Sequence, residues 1–146
     1  MKRLVLLALL AAATTLVGLQ ATADGGRNFI TGLTGSNEVP GPGDPDGSAI
    51  AVITVNAGQG QVCWRILEVK DIEPATAAHI HVGDAGVAGP VVVTLSPPTS
   101  GVSEGCQDVP KELAQTIKSN PEHYYVNVHN AEYLKGAIRG QLSRTP

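Results

Sequence analysis

Aromatic side chains are scarce, with one Phe, one Trp and three Tyr in 146 residues. Val, Ile and Leu must therefore build most of any core. Trp64 alternates with Val62 and Ile66, which assigns it to that core and turns Cys63 and Arg65 to the opposite face. Runs of like charge, internal repeats and low-complexity tails are also missing. After residue 23 no stretch is long or apolar enough to cross a bilayer. No serine lies in a recognisable nucleophile motif, so covalent catalysis has little support.

What is present begins with an export signal. Lys2 and Arg3 precede an apolar run from Leu4 to Leu19, and Ala21-Thr22-Ala23 has the small-x-small pattern that signal peptidases cut. Residues 1–23 are expected to be a signal peptide and residues 24–146 one domain, periplasmic or secreted; a retained signal-anchor is the alternative. The 24–146 segment carries eight basic and thirteen acidic residues, a formal charge of −5. That balance argues against nucleic acid and anionic lipid as partners.

Cys63 and Cys106 are the only cysteines, and an even count in an exported chain favours a disulfide. Cys106 follows the Gly/Ser/Pro-rich stretch from Ser96 to Gly105, so the bond is expected to tie a loop to a strand and to stabilise by about 2–4 kcal/mol. The rival reading, two metal-binding thiolates, competes with the oxidising compartment.

Short alternating segments dominate: Phe29 to Leu33, Ala49 to Val55, Gln61 to Val69, Ala77 to Val82, Pro90 to Leu95, Tyr124 to His129 and Ala137 to Leu142. They predict an all-β fold, a Greek-key-like β-sandwich or barrel of about seven or eight strands. Asn56 to Gly60 suits a hairpin turn, and the prolines of the loop from Pro40 to Gly47 cannot donate to a sheet ladder. One helix is expected near 109–118, with Leu113 and Ile117 on its apolar side, Asp108 as its cap and Asn120-Pro121 as its end. It should cover an open end of the sheet.

Three of the four histidines lie in strand-like segments. His79 and His81, separated by one residue, point to one face of a strand while Ala78, Ile80 and Val82 point to the other. In the run ending at His129, Tyr124, Val126 and Val128 form the core face and Tyr125, Asn127 and His129 the other. In the last segment Ile138 and Leu142 belong to the core, which leaves Arg139 and Gln141 opposite. If the last two strands form a hairpin and one lies beside the His79 strand, these polar residues meet in one patch.

A His-x-His chelate plus one histidine from a neighbouring strand gives three neutral nitrogens and an exchangeable position, a set suited to copper(II), zinc or nickel. Copper is favoured by the affinity order and by its availability in an exported compartment, with zinc the near competitor. Asn127 and Arg139 are expected in the outer shell, and His123 is either solvated or a further ligand. Arg139 has two readings, a surface ion pair or an anion guide or clamp beside the metal. Glu38 is expected to contact Arg139 or a loop amide. The rival to metal binding is a module for an extracellular protein partner, in which the histidines only hold loops; a redox copper enzyme is a third reading.

Leu33-Thr34-Gly35-Ser36-Asn37-Glu38-Val39-Pro40, Ala78-His79-Ile80-His81-Val82-Gly83 with Gly89-Pro90-Val91-Val92, Tyr125-Val126-Asn127-Val128-His129, and Gly136-Ala137-Ile138-Arg139-Gly140-Gln141-Leu142 together resemble the CHRD domain. That family is named from repeats in chordin and occurs in exported microbial proteins. The resemblance implies an all-β extracellular domain and leaves the biochemical role open. His79 to Asp84 is also similar to the copper-ligating strand of copper/zinc superoxide dismutases. Such enzymes need a bridging histidine and a separate zinc cluster, and only His123 remains here, so full dismutase chemistry is not expected.

Overall fold

The computed structural model describes residues 26–144. The expected signal peptide lies outside them. Eight strands form one antiparallel sheet: β1 Arg27–Thr34, β2 Ser48–Asn56, β3 Gln61–Lys70, β4 Ala77–Val82, β5 Val91–Leu95, β6 Ser103–Asp108, β7 Tyr124–His129 and β8 Ile138–Gln141. Their order is β5-β4-β7-β8-β1-β2-β3-β6. Because all eight belong to one hydrogen-bonded sheet, the architecture is a nearly closed barrel and not a two-sheet sandwich. At the seam between β5 and β6 the Ser103 hydroxyl donates to the Ser96 carbonyl at 2.8 Å.

Strand alternation fills the barrel. β2 turns Ala49, Ala51, Ile53 and Val55 inward, and β3 adds Val62, Trp64 and Ile66. Phe29 and Leu33 from β1, Ile80 from β4, Val126 and Val128 from β7 and Ile138 from β8 complete the interior. The Asn56–Gly60 turn closes the β2–β3 hairpin as expected: the Gly60 amide donates to the Asn56 carbonyl at 2.9 Å, and Gly60 takes the left-handed φ of 69° that a glycine adopts without strain.

The helix, α1, spans Lys111–Ser119 and buries Ala114 and Ile117, while Leu113 packs at the margin. It packs against β2 and β3 and covers one end of the barrel. Asp108 does not cap it. That residue ends β6 and accepts a hydrogen bond from the Gln61 amide at 3.2 Å, and the position before the helix is Pro110.

β6 is the strand that sequence patterning missed. Ser103–Asp108 shows no apolar alternation because it is an edge strand whose inward register positions hold Ser103, Gly105 and the exposed Gln107. A Cβ at Gly105 would sit 2.6 Å from the Trp64 ring, so the indole takes the space of a side chain here. Cys63 and Cys106 are direct partners in the β3–β6 register and form a disulfide on the outer face. The bond therefore joins strand to strand, correcting the expected strand-to-loop link.

The outer face of β4, β7 and β8 is covered as well. After a 3-10 turn at Gly35–Asn37, the loop to Gly47 folds back over β8, with the Gly43 amide donating to Gly35 and the Asp44 amide to the Ala137 carbonyl. Gly35 has to be a glycine, because a Cβ there would lie 1.8 Å from the Asp44 carbonyl oxygen. β7 is buried on both faces: Tyr124, Val126 and Val128 face the barrel interior, while on the outer face Asn127 lies by Glu38 of this loop and Tyr125 against His81 and Arg139.

Candidate metal centre

The β4–β7 register places Ala77 opposite His129, His79 opposite Asn127 and His81 opposite Tyr125. His129 is thus the diagonal neighbour of His79 on the same face, close enough for long or aromatic side chains to touch. Their rings meet edge to face, and His79 Nδ1 lies 3.2 Å from His129 Nε2. His81 stands next along β4, its ring centroid 5.5 Å from that of His79. One nitrogen from each of the three imidazoles falls within 4.8 Å of the other two. The expected three-histidine set is therefore brought together.

Two carbonyls orient the rings. His81 Nδ1 lies 2.8 Å from the Gly89 carbonyl and His129 Nδ1 lies 3.1 Å from that of Leu134. A carbonyl only accepts, so both rings carry their proton on Nδ1 and offer a lone pair at Nε2. In His81 that nitrogen is buried and makes no hydrogen bond among the described residues. His129 Nε2 accepts the Nδ1–H of His79 in the metal-free protein. To ligate through Nδ1, His79 shifts its proton to Nε2.

The spacing suits a shared cation. Two imidazole nitrogens bound at 2.0–2.1 Å with a tetrahedral angle stand about 3.3 Å apart. The His79–His129 separation of 3.2 Å is close to this, and His81 completes the set within 4.8 Å. The electrostatics agree. Burial lowers the pKa of His79, helped by the charges that His129 and His81 would carry. Burial likewise lowers that of His129, with the Leu134 hydrogen bond acting in the opposite sense. Both rings are held in the neutral form that metals bind.

Neither Arg139 nor Asn127, the cross-strand partner of His79, hydrogen-bonds the three histidines among the described residues. Tyr125 stacks on His81, with centroids 4.8 Å apart and planes 9° from parallel, and its hydroxyl accepts a hydrogen bond from the Gly89 amide at 3.1 Å. The Arg139 guanidinium lies over the same tyrosine, 3.4 Å from the ring centroid. Arg139 reaches the histidines only through Tyr125. It is 1% exposed, so the expected surface ion pair is replaced by a buried cation.

Glu38 is buried and raised to about 7 by desolvation, against the lowering influence of Arg139, the Val39 amide and Asn127. Glu38 thus meets both expected kinds of partner, Arg139 electrostatically and a loop amide by hydrogen bond. His123 stays outside the cluster. It precedes β7, at the opposite end from His129, is solvent-exposed and pairs with Asp84, which raises its pKa.

The orienting carbonyls of Gly89 and Leu134 and the stacking role of Tyr125 were not anticipated. Gly89 had one signal, its place in a Gly-Pro turn eight residues after His81. Leu134, in an irregular loop, had none.

A nearly closed antiparallel barrel carrying a three-histidine cluster on its outer face defines an all-β domain with a candidate metal centre. The family model for the CHRD domain matches residues 29–142, and the chain belongs to that family. Comparison with curated proteins and with solved structures gave no match.

Proposed function

We propose that this protein is an exported CHRD-domain module that binds one transition-metal ion, copper(II) in preference to zinc, through His79, His81 and His129. The observation that carries this reading is the convergence of three imidazole nitrogens, two of them on rings whose Nδ1 protons are fixed by backbone carbonyls. The cluster contains neither thiolate nor carboxylate, and an all-imidazole set suits copper(II) first by the general affinity order. Three ligands leave a position open to an exchangeable group. The role supported is binding or carriage of the ion.

Calorimetric titration of the 24–146 protein with copper(II) and with zinc tests the proposal. One ion per chain is expected, with binding lost in the His81→Ala, His129→Ala double variant. Binding that survives in the double variant removes the site.

A second reading is favoured by one observation: the same imidazoles hydrogen-bond the Gly89 and Leu134 carbonyls and so hold two loops in place. In that case the histidines are structural and the domain is an interaction module. A melting temperature unmoved by copper, zinc or chelator would select this reading.

A further inference from the structure

Between the 3-10 turn and the turn that follows β4 lies a cleft of about 260 Å3, lined by Ser36, Asn37, Val39, Ala85, Gly86, Arg139 and Gln141. None of these side chains is acidic, and one is a buried cation. Buried charges are ordinarily paired, yet among the described residues no carboxylate lies within ion-pair distance of Arg139; the ion pairs are Arg65–Glu104, Lys70–Glu68 and His123–Asp84. Glu38 acts on Arg139 from further away, and the Asp84 carboxylate is engaged by His123.

The guanidinium is held in one plane against Tyr125. Its Nη2 donates to the Asp84 carbonyl at 2.9 Å and to Gln141 Oε1 at 3.3 Å. Gln141 is itself fixed, its amide nitrogen donating to the carbonyls of Gly83, Glu122 and Tyr124. The buried Nη1 has no hydrogen-bond partner among the described residues. The turn from Asp84 to Val87 is closed by the Val87 amide, and the Ala85 and Gly86 amides form no hydrogen bond among the described residues. Arg139, with its uncommitted donor, Ala85 and Gly86, with their free amides, and Ser36, whose hydroxyl meets that of Thr34 at 3.0 Å, therefore line one cleft.

We propose that this cleft is a second binding site, separate from the histidines, for a small oxyanion: a phosphate or a carboxylate group. Both hydrogens of Nη2 are committed, so an anion oxygen would take the remaining guanidinium donor, Nη1, in a charge-assisted hydrogen bond that a phosphate or a carboxylate can accept. The anion would also supply the counter-charge that Arg139 lacks at close range. Tyr125 stands between this site and His81, so anion binding does not require a metal ion.

The test is titration of the metal-free, 15N-labelled protein with inorganic phosphate and with acetate, using chloride at equal ionic strength as control. Saturable amide shifts at Ser36, Ala85 and Gly86 are expected, and the phosphate and acetate arms decide which oxyanion is preferred. Ala85→Asp puts a like charge at the exposed rim without touching the core and should weaken binding by at least about tenfold. Because the titration is run on metal-free protein, its result is independent of that of the copper titration. Shifts that never saturate, that chloride reproduces, or that persist undiminished in Ala85→Asp would overturn the proposal.

Discussion

At the scale of single residues, the three histidines are not equivalent. His81 has a buried, unpartnered Nε2 and a neighbour, Tyr125, stacked along its ring. Removing it should lower copper affinity by more than about a hundredfold, beyond the 10–100-fold typical of groups that only support a ligand, as read by calorimetry. Tyr125→Phe keeps the stack and loses the hydroxyl contact with the Gly89 amide. It should cost about 1 kcal/mol in denaturant unfolding and change copper affinity by less than about tenfold.

Glu38 gives a prediction of its own. Its carboxyl is raised to about 7 in the folded protein from 4.5, so the folded state holds a proton that the unfolded chain releases between those values. The corresponding stability is present below 4.5 and is lost as pH rises through 7. Glu38→Gln removes that loss. Its melting temperature relative to the parent should increase from pH 5 to pH 8; a constant difference would mean that Glu38 is not buried as a proton-binding acid.

At the scale of elements, β6 shows how a strand can hide from sequence. Its inward register positions hold Ser103, Gly105 and the exposed Gln107, and the space beside Gly105 is filled from β3 by Trp64. Gly105→Ala should destabilise by about 1–3 kcal/mol through overpacking against the indole. Replacing both Cys63 and Cys106 by Ser should cost about 2–4 kcal/mol, with hydrogen exchange rising first along β6, because the disulfide ties that edge strand to β3. Strands with apolar alternation, such as β2 and β7, were legible from the chain alone. So was the shared face of His79, His81 and His129, since strand period fixes direction. Their convergence was not, because it depends on β7 pairing with β4 in the one register that sets His129 diagonal to His79. The burial of Arg139 and Asn127 was hidden for a similar reason: it is produced by the loop from Gly35 to Gly47, which carries no periodicity.

At the scale of the molecule, a barrel filled with aliphatic side chains supports a second, polar layer on one side, and the histidine cluster lies at the margin of that layer. Burial of His79 and His129 links the cluster to pH. Their folded pKa values lie below the ordinary 6.5, so metal-free stability is complete above 6.5 and declines as pH falls through 6.5 toward those lower values. Copper affinity should hold to lower pH than that of free imidazole, then fall as these rings protonate. The most direct test of the central claim is pulsed electron paramagnetic resonance of the protein loaded with one equivalent of copper(II). Nitrogen couplings from three imidazoles are predicted for the parent and from two for His81→Ala. An unchanged spectrum after His79, His81 and His129 are all replaced by alanine would contradict the three-histidine site.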